Sequence, residues 1–136
     1  MDDKDKFNAL LNALIFFRSQ YLSNSYSSMG FTVIAAGWLI TSRSARVFLN
    51  SHRWLGLSSI FLMILTYIGY WKLSLGVQAI SQGIADKLSK LVDAPGLYEH
   101  YTITHSGVYG FILLQGLALV FVILVIIAII KDPGKE

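Results

Sequence analysis

The sequence predicts an all-α integral membrane protein, a small helical bundle of three transmembrane helices and one N-terminal amphipathic helix. Three observations carry this. First, Ser106–Ile130 is a run of 25 residues without a charge, and Leu117–Ile130 within it is wholly apolar. A helix rises about 1.5 Å per residue and a bilayer core is about 30 Å thick, so roughly 20 apolar residues span it. Second, the chain is 54% hydrophobic and 14% charged, against about 25% charged for an ordinary soluble domain. Third, two more uncharged stretches lie upstream, 24 residues between Arg18 and Arg43 and 18 between Arg53 and Lys72. At 136 residues, the chain 1–136 reads as a single membrane domain.

The first element is an amphipathic helix over 7–22. Phe7, Leu10, Leu11, Leu14, Ile15 and Leu22 recur at helical spacing, while Asn8, Asn12 and Ser19 fall largely off that stripe. Asp2, Asp3 and Asp5 precede it, where negative charge suits a helix N-terminus. The N-terminus reads as mature sequence, since Met-Asp-Asp-Lys-Asp-Lys is mixed in charge and opens no short apolar core with a small-residue cleavage site.

The first span is placed at 22–42. Its apolar part, Met29–Ile40, is too short alone and is completed by the serine-rich stretch before it. A short connection, Thr41–Arg53, carries Arg43, Arg46 and Arg53 and no acid. The second span starts at Trp54 and is apolar to Trp71; tryptophan favours the headgroup zone, so the pair marks two interfaces. Beyond it, Leu73, Val77, Ile80, Ile84, Leu88 and Leu91 form one helical stripe. The second span is therefore expected to run on out of the bilayer as one long helix over 54–92, stopping at Asp93-Ala94-Pro95-Gly96. The third span is 106–130.

Three spans put 7–22 and the extension of the second span on the same side. Their apolar stripes are expected to pack together as a helical collar. Orientation rests on basic residues near short loops. Arg43, Arg46, Arg53, Lys131 and Lys135 lie on one side; Lys4, Lys6, Arg18, Lys72, Lys87 and Lys90 lie on the other. The density of arginine in the first loop favours that loop and the C-terminus as cytoplasmic, in a bacterial inner membrane.

Lipid gives helices little hydrophobic reason to associate, so small residues and interhelical hydrogen bonds do the packing. Gly69, Gly76 and Gly83 share one face of the long helix. Gly30 and Gly37 repeat that spacing on the first span, and Gly107 and Gly110 offer close approach on the third. Packing within the chain and a seam for a partner are both open readings of these glycines. Gln115, well inside the third span, is expected to hydrogen-bond between helices.

Chemistry is sparse. The apolar cores hold no Asp, Glu, Lys, Arg or His, the groups that mark proton or ion pathways in a bilayer. There is no cysteine, which excludes disulfides and thiolate ligation. A net charge of +3 with scattered basic residues leaves no nucleic-acid footprint. Ser51-His52-Arg53-Trp54-Leu55-Gly56 resembles the His-Arg-x-x-Gly helix start of membrane b-type cytochromes and succinate dehydrogenase anchor subunits. The resemblance covers six residues. It implies a haem held by axial histidines, but the helix that follows carries Tyr67 and Tyr70 and no histidine. Titratable groups gather once, at Glu99, His100 and His105 before the third span, where two imidazoles and a carboxylate could ligate zinc or copper.

The expectation is a non-catalytic accessory or structural subunit, surrounded by lipid and assembled with other membrane chains or with itself. Its alternatives are a homo-oligomeric channel or transporter with a Ser/Thr/Gly-lined path, for which Ser58, Ser59 and Thr66 are candidates, and a metal- or haem-binding redox subunit using His100 and His105.

Overall fold

The structure, a computed structural model, describes residues 2–92 and 95–132. They form four α-helices: α1 Asp3–Thr41, α2 Arg43–Ser51, α3 Arg53–Leu91 and α4 His105–Lys131. Two short 3-10 turns, Pro95–Leu97 and Glu99–Tyr101, precede α4, and no strand occurs among the described residues. The all-helical class read from the sequence is what the chain adopts.

Helix α1 opens on Asp2, whose carboxylate accepts from the Asp5 N–H at 2.8 Å. Asp3 and Asp5 occupy its first turn, where the dipole favours them. The segments 7–22 and 22–42 belong to one continuous helix, and α1 runs for 39 residues. The serine- and asparagine-rich stretch 19–28 is only a mild obstacle. Such residues cost at most about 0.7 kcal/mol each in a helix, and no Pro stands there to break it. Ser25 is itself buried.

The connection after α1 is a helix in its own right, not a loop. Ser42 is extended, with φ −90° and ψ 107°, and its hydroxyl accepts from the Ala45 N–H at 3.3 Å, capping α2. Ala45 is buried while Arg43, Ser44 and Ser51 are exposed. His52 joins α2 to α3: its N–H donates to the Phe48 carbonyl at 3.0 Å and its carbonyl accepts from the Leu55 N–H at 2.9 Å. Its ring stacks on Phe48 with centroids 4.4 Å apart.

Helix α3 is unbroken for 39 residues. Of the expected stop after it, Asp93 and Ala94 lie outside the described residues. Thr104 starts α4. Its hydroxyl accepts from the Gly107 N–H at 3.1 Å, and its carbonyl accepts from Val108.

The chain divides into two compact units. Unit 1 comprises residues 1–25 and 72–111, and unit 2 comprises 26–71 and 112–136. In unit 1, Leu14, Leu88 and Tyr98 are buried together, and Phe7, Leu10, Leu11, Ile84 and Ala85 pack around them. The apolar stripe of the N-terminal segment thus meets that of the second half of α3. Ser81 accepts from the Ile103 N–H at 3.0 Å, satisfying a buried donor in the turn before α4. In unit 2, Ala36, Val122 and Ile126 form the core, with Leu39, Leu49, Ile60, Met63 and Ile130 against them. Asn50 Nδ2 donates to the carbonyls of Ile129 and Ile130 at 3.0 and 2.9 Å. These belong to the last turn of α4, where carbonyls have no intrahelical donor.

Two helices, α3 and α4, are long and apolar enough to cross a membrane. Of their most apolar stretches only 6% and 28% of residues are buried, unlike the core helix of a soluble protein.

Candidate functional site

Unit 2 holds a groove of about 930 Å³. Its walls are α1 from Ser27 to Leu39, α2 at Ala45, Phe48 and Leu49, α3 from Leu55 to Tyr70, and α4 from Gln115 to Ile126. The helical period sets this lining. Phe31, Ala35 and Leu39 recur on one face of α1, as do Leu55, Ser59, Leu62 and Thr66 on α3. Most of the surface is hydrocarbon. Three of the hydroxyls are engaged with their own helices: Thr32 donates to the Ser28 carbonyl at 2.9 Å, Ser59 to Leu55 at 2.8 Å, and Thr66 to Leu62 at 2.8 Å. Such bonds to a helix's own carbonyls are the usual fate of Ser and Thr in an apolar helix. Tyr67 reaches across to α4 and donates to the Ile112 carbonyl at 2.8 Å. Tyr67→Phe is expected to cost about 0.5–1.5 kcal/mol, the net worth of one hydrogen bond. An unchanged unfolding midpoint in detergent would show that this bond contributes nothing.

The charges of unit 2 cluster at the α2 end of this groove. Arg43, Arg46 and Arg53 lie on or beside α2, and Asn50 ties the C-terminal turn of α4, followed by Lys131 and Asp132, to the same place. Arg46 also donates to the Ile40 carbonyl at the end of α1.

The titratable cluster read from the sequence is not assembled. Glu99 and His100 lie exposed on the second 3-10 turn. His105 instead turns to α3, where its Nδ1 lies within hydrogen-bond distance of Gln78 Nε2, at 2.8 Å. Tyr109 packs its edge against the same ring at 4.5 Å. Among the described residues no group of three or more His, Asp or Glu side chains is placed to hold a metal ion. One buried hydroxyl on that face of α3, Ser74 Oγ, has no hydrogen-bond partner among the described residues.

Gln115 is buried in unit 2 and accepts from the Ser28 hydroxyl of α1 at 3.4 Å. The glycines divide into two groups. A Cβ added at Gly30, Gly37, Gly69, Gly76, Gly83 or Gly110 would meet nothing within 4 Å. At Gly107 it would meet only the Thr104 hydroxyl, at 2.9 Å, so that glycine makes room for the helix cap. Close approach between helices falls at Gly56, against Ile130 and Ile126, and at Gly116, against the Tyr67 hydroxyl at 2.8 Å. Sequence reasoning missed Gly56, Gly116, Asn50 and Tyr67 as packing residues. The available signals were isolated glycines inside apolar runs and a single amide amid arginines. No family model, curated protein or solved structure matches this chain.

Proposed function

We propose that the chain is a three-span integral membrane protein that works as a non-catalytic accessory or structural subunit, in a membrane complex or a homo-oligomer. The observation that carries this is the open glycine face of α3. Gly69, Gly76 and Gly83 recur every seven residues, and a Cβ added at any of them would meet no atom of the described residues within 4 Å. Small residues on a helix face let a second helix approach closely, within the bilayer at Gly69 and beyond it at Gly76 and Gly83. The surroundings agree: Trp38, Ile34, Phe61, Leu65 and Leu124 are all exposed large apolar residues, suited to hydrocarbon and poorly suited to water.

Helix α3, at about 1.5 Å per residue, is roughly 58 Å long and exceeds the thickness of a bilayer core. Its second half carries the exposed charges Asp86, Lys87 and Lys90 and is the extramembrane part. The first span is the C-terminal part of α1. The arginines of α2 support a cytoplasmic location for that end and the C-terminus, in a bacterial inner membrane. A polar conduction path has less support, because Ser59 and Thr66 bond their own helix.

The test is native mass spectrometry in mild detergent. Other chains, or copies of this one, at fixed stoichiometry are expected. Gly76→Leu should abolish that assembly while leaving helicity intact and the monomer at least as stable as the parent. A bare monomer from native membranes would overturn the reading, and ion or solute flux in liposomes above background would favour a channel instead.

A further inference from the structure

We infer that the groove of unit 2 binds one acyl chain of an anionic glycerophospholipid, with its phosphate at the α2 end. The inference rests on the membrane reading above and adds a ligand to it. Three features of the groove point the same way.

The first is length. The α1 wall from Ser27 to Leu39 extends roughly 18 Å at the helical rise, close to the hydrocarbon depth of one leaflet, about 15 Å. The second is hydrogen-bond demand. Thr32, Ser59, Thr66 and Tyr67 already donate to carbonyls. An unbranched hydrocarbon chain lies along such a wall without stranding a donor, whereas a polar solute would find few partners there. The third is charge. No acidic residue occurs between Asp5 and Asp86, so Asp132, just after α4, is the one described acid set against the arginines at this end. Arg43 opens α2 and Arg53 opens α3, both are exposed, and these two helices bring Ala45 and Leu55 to that end of the groove. A phosphate diester at that end meets cations, and its glycerol places the chain at the groove mouth. Arginine suits this role through its planar fork of donors.

Trp38 lines the groove, whereas Trp54 and Trp71 do not, so fluorescence can read it directly. The probes are vesicles of unlabelled phosphatidylcholine doped with phosphatidylglycerol or phosphatidylcholine brominated in the acyl chain. The proteins are two single-tryptophan variants, Trp54→Phe with Trp71→Phe, which retains Trp38, and Trp38→Phe with Trp54→Phe, which retains Trp71. Circular dichroism checks that each is folded. Trp38 is expected to be half-quenched at about one-fifth the mole fraction of the anionic quencher compared with the neutral one, as about 1 kcal/mol from lipid charge implies. Trp71 should show no such preference. Adding Arg43→Gln and Arg53→Gln should erase the difference at Trp38.

Equal quenching of Trp38 by both lipids overturns the proposal and leaves only ordinary lipid contact. Protection of Trp38 from both, with Trp71 quenched, overturns it in favour of a second copy in the groove. Failure of either tryptophan to be quenched, together with failure of the protein to float with vesicles, overturns the membrane reading itself.

Discussion

Leu14→Ala is expected to destabilise unit 1 by about 2–5 kcal/mol, the range for emptying a well-packed site. Leu14 is 0% exposed and shares its cluster with only two other buried residues, Leu88 and Tyr98. A core that small has little to move into the space, so the cavity persists. The loss should appear as faster hydrogen exchange in residues 84–91 of α3, the segment that Leu14 covers. Leu113→Ala is the matched control. Leu113 is 65% exposed on α4, and its truncation should stay within about 0.5 kcal/mol. Similar effects at the two positions would show that unit 1 is not held by this cluster.

Gly56→Leu is the second large effect, expected at or above the upper end of the usual overpacking cost of about 1–3 kcal/mol. A Cβ at this position already lies 2.6 Å from Ile130 Cδ1 and 3.3 Å from Ile126 Cγ2. Ile126 belongs to the core of unit 2, so it cannot simply swing away. Gly56→Ala is milder, because the tip of Ile130 can shift and alanine returns up to about 1 kcal/mol of helix propensity. At Gly76 nothing lies within 4 Å, and Gly76→Ala should raise the stability of the isolated chain by about 0.5–1 kcal/mol. Thermal unfolding in detergent should therefore rank Gly76→Ala above the parent and Gly56→Leu well below it. A Gly56→Leu midpoint equal to the parent's would mean that α3 and α4 do not pack at this point.

The contrast between those glycines shows what the sequence could and could not reveal. Hydrophobic period and the absence of breakers are local properties, so the long helices α3 and α4 were readable from them. Leu14 and Leu88 were readable too, as members of two apolar stripes that needed cover. Pairing was not readable. A glycine at seven-residue spacing looks the same whether a helix lies on it or nothing does, and the difference resides in the register of another segment. Helix α2 was hidden for another reason. Nine residues with two arginines look like a connection until Ser42 is seen to cap Ala45. The segments 7–22 and 22–42 run on as one helix because the polar residues between them lower helix propensity without preventing helix formation. His105 was found as a residue, but its partner Gln78 is 27 positions away and invisible to spacing.

The placement of α2 has a consequence for how this molecule can change. At about 1.5 Å per residue it is roughly 14 Å long, and it connects the end of α1 to the start of α3 while closing the groove between them. It acts as a spreader bar. Residues gained or lost within it reset the distance between two walls without altering any side chain on them. The chain therefore carries a dimension of its cavity in the length of a connecting helix.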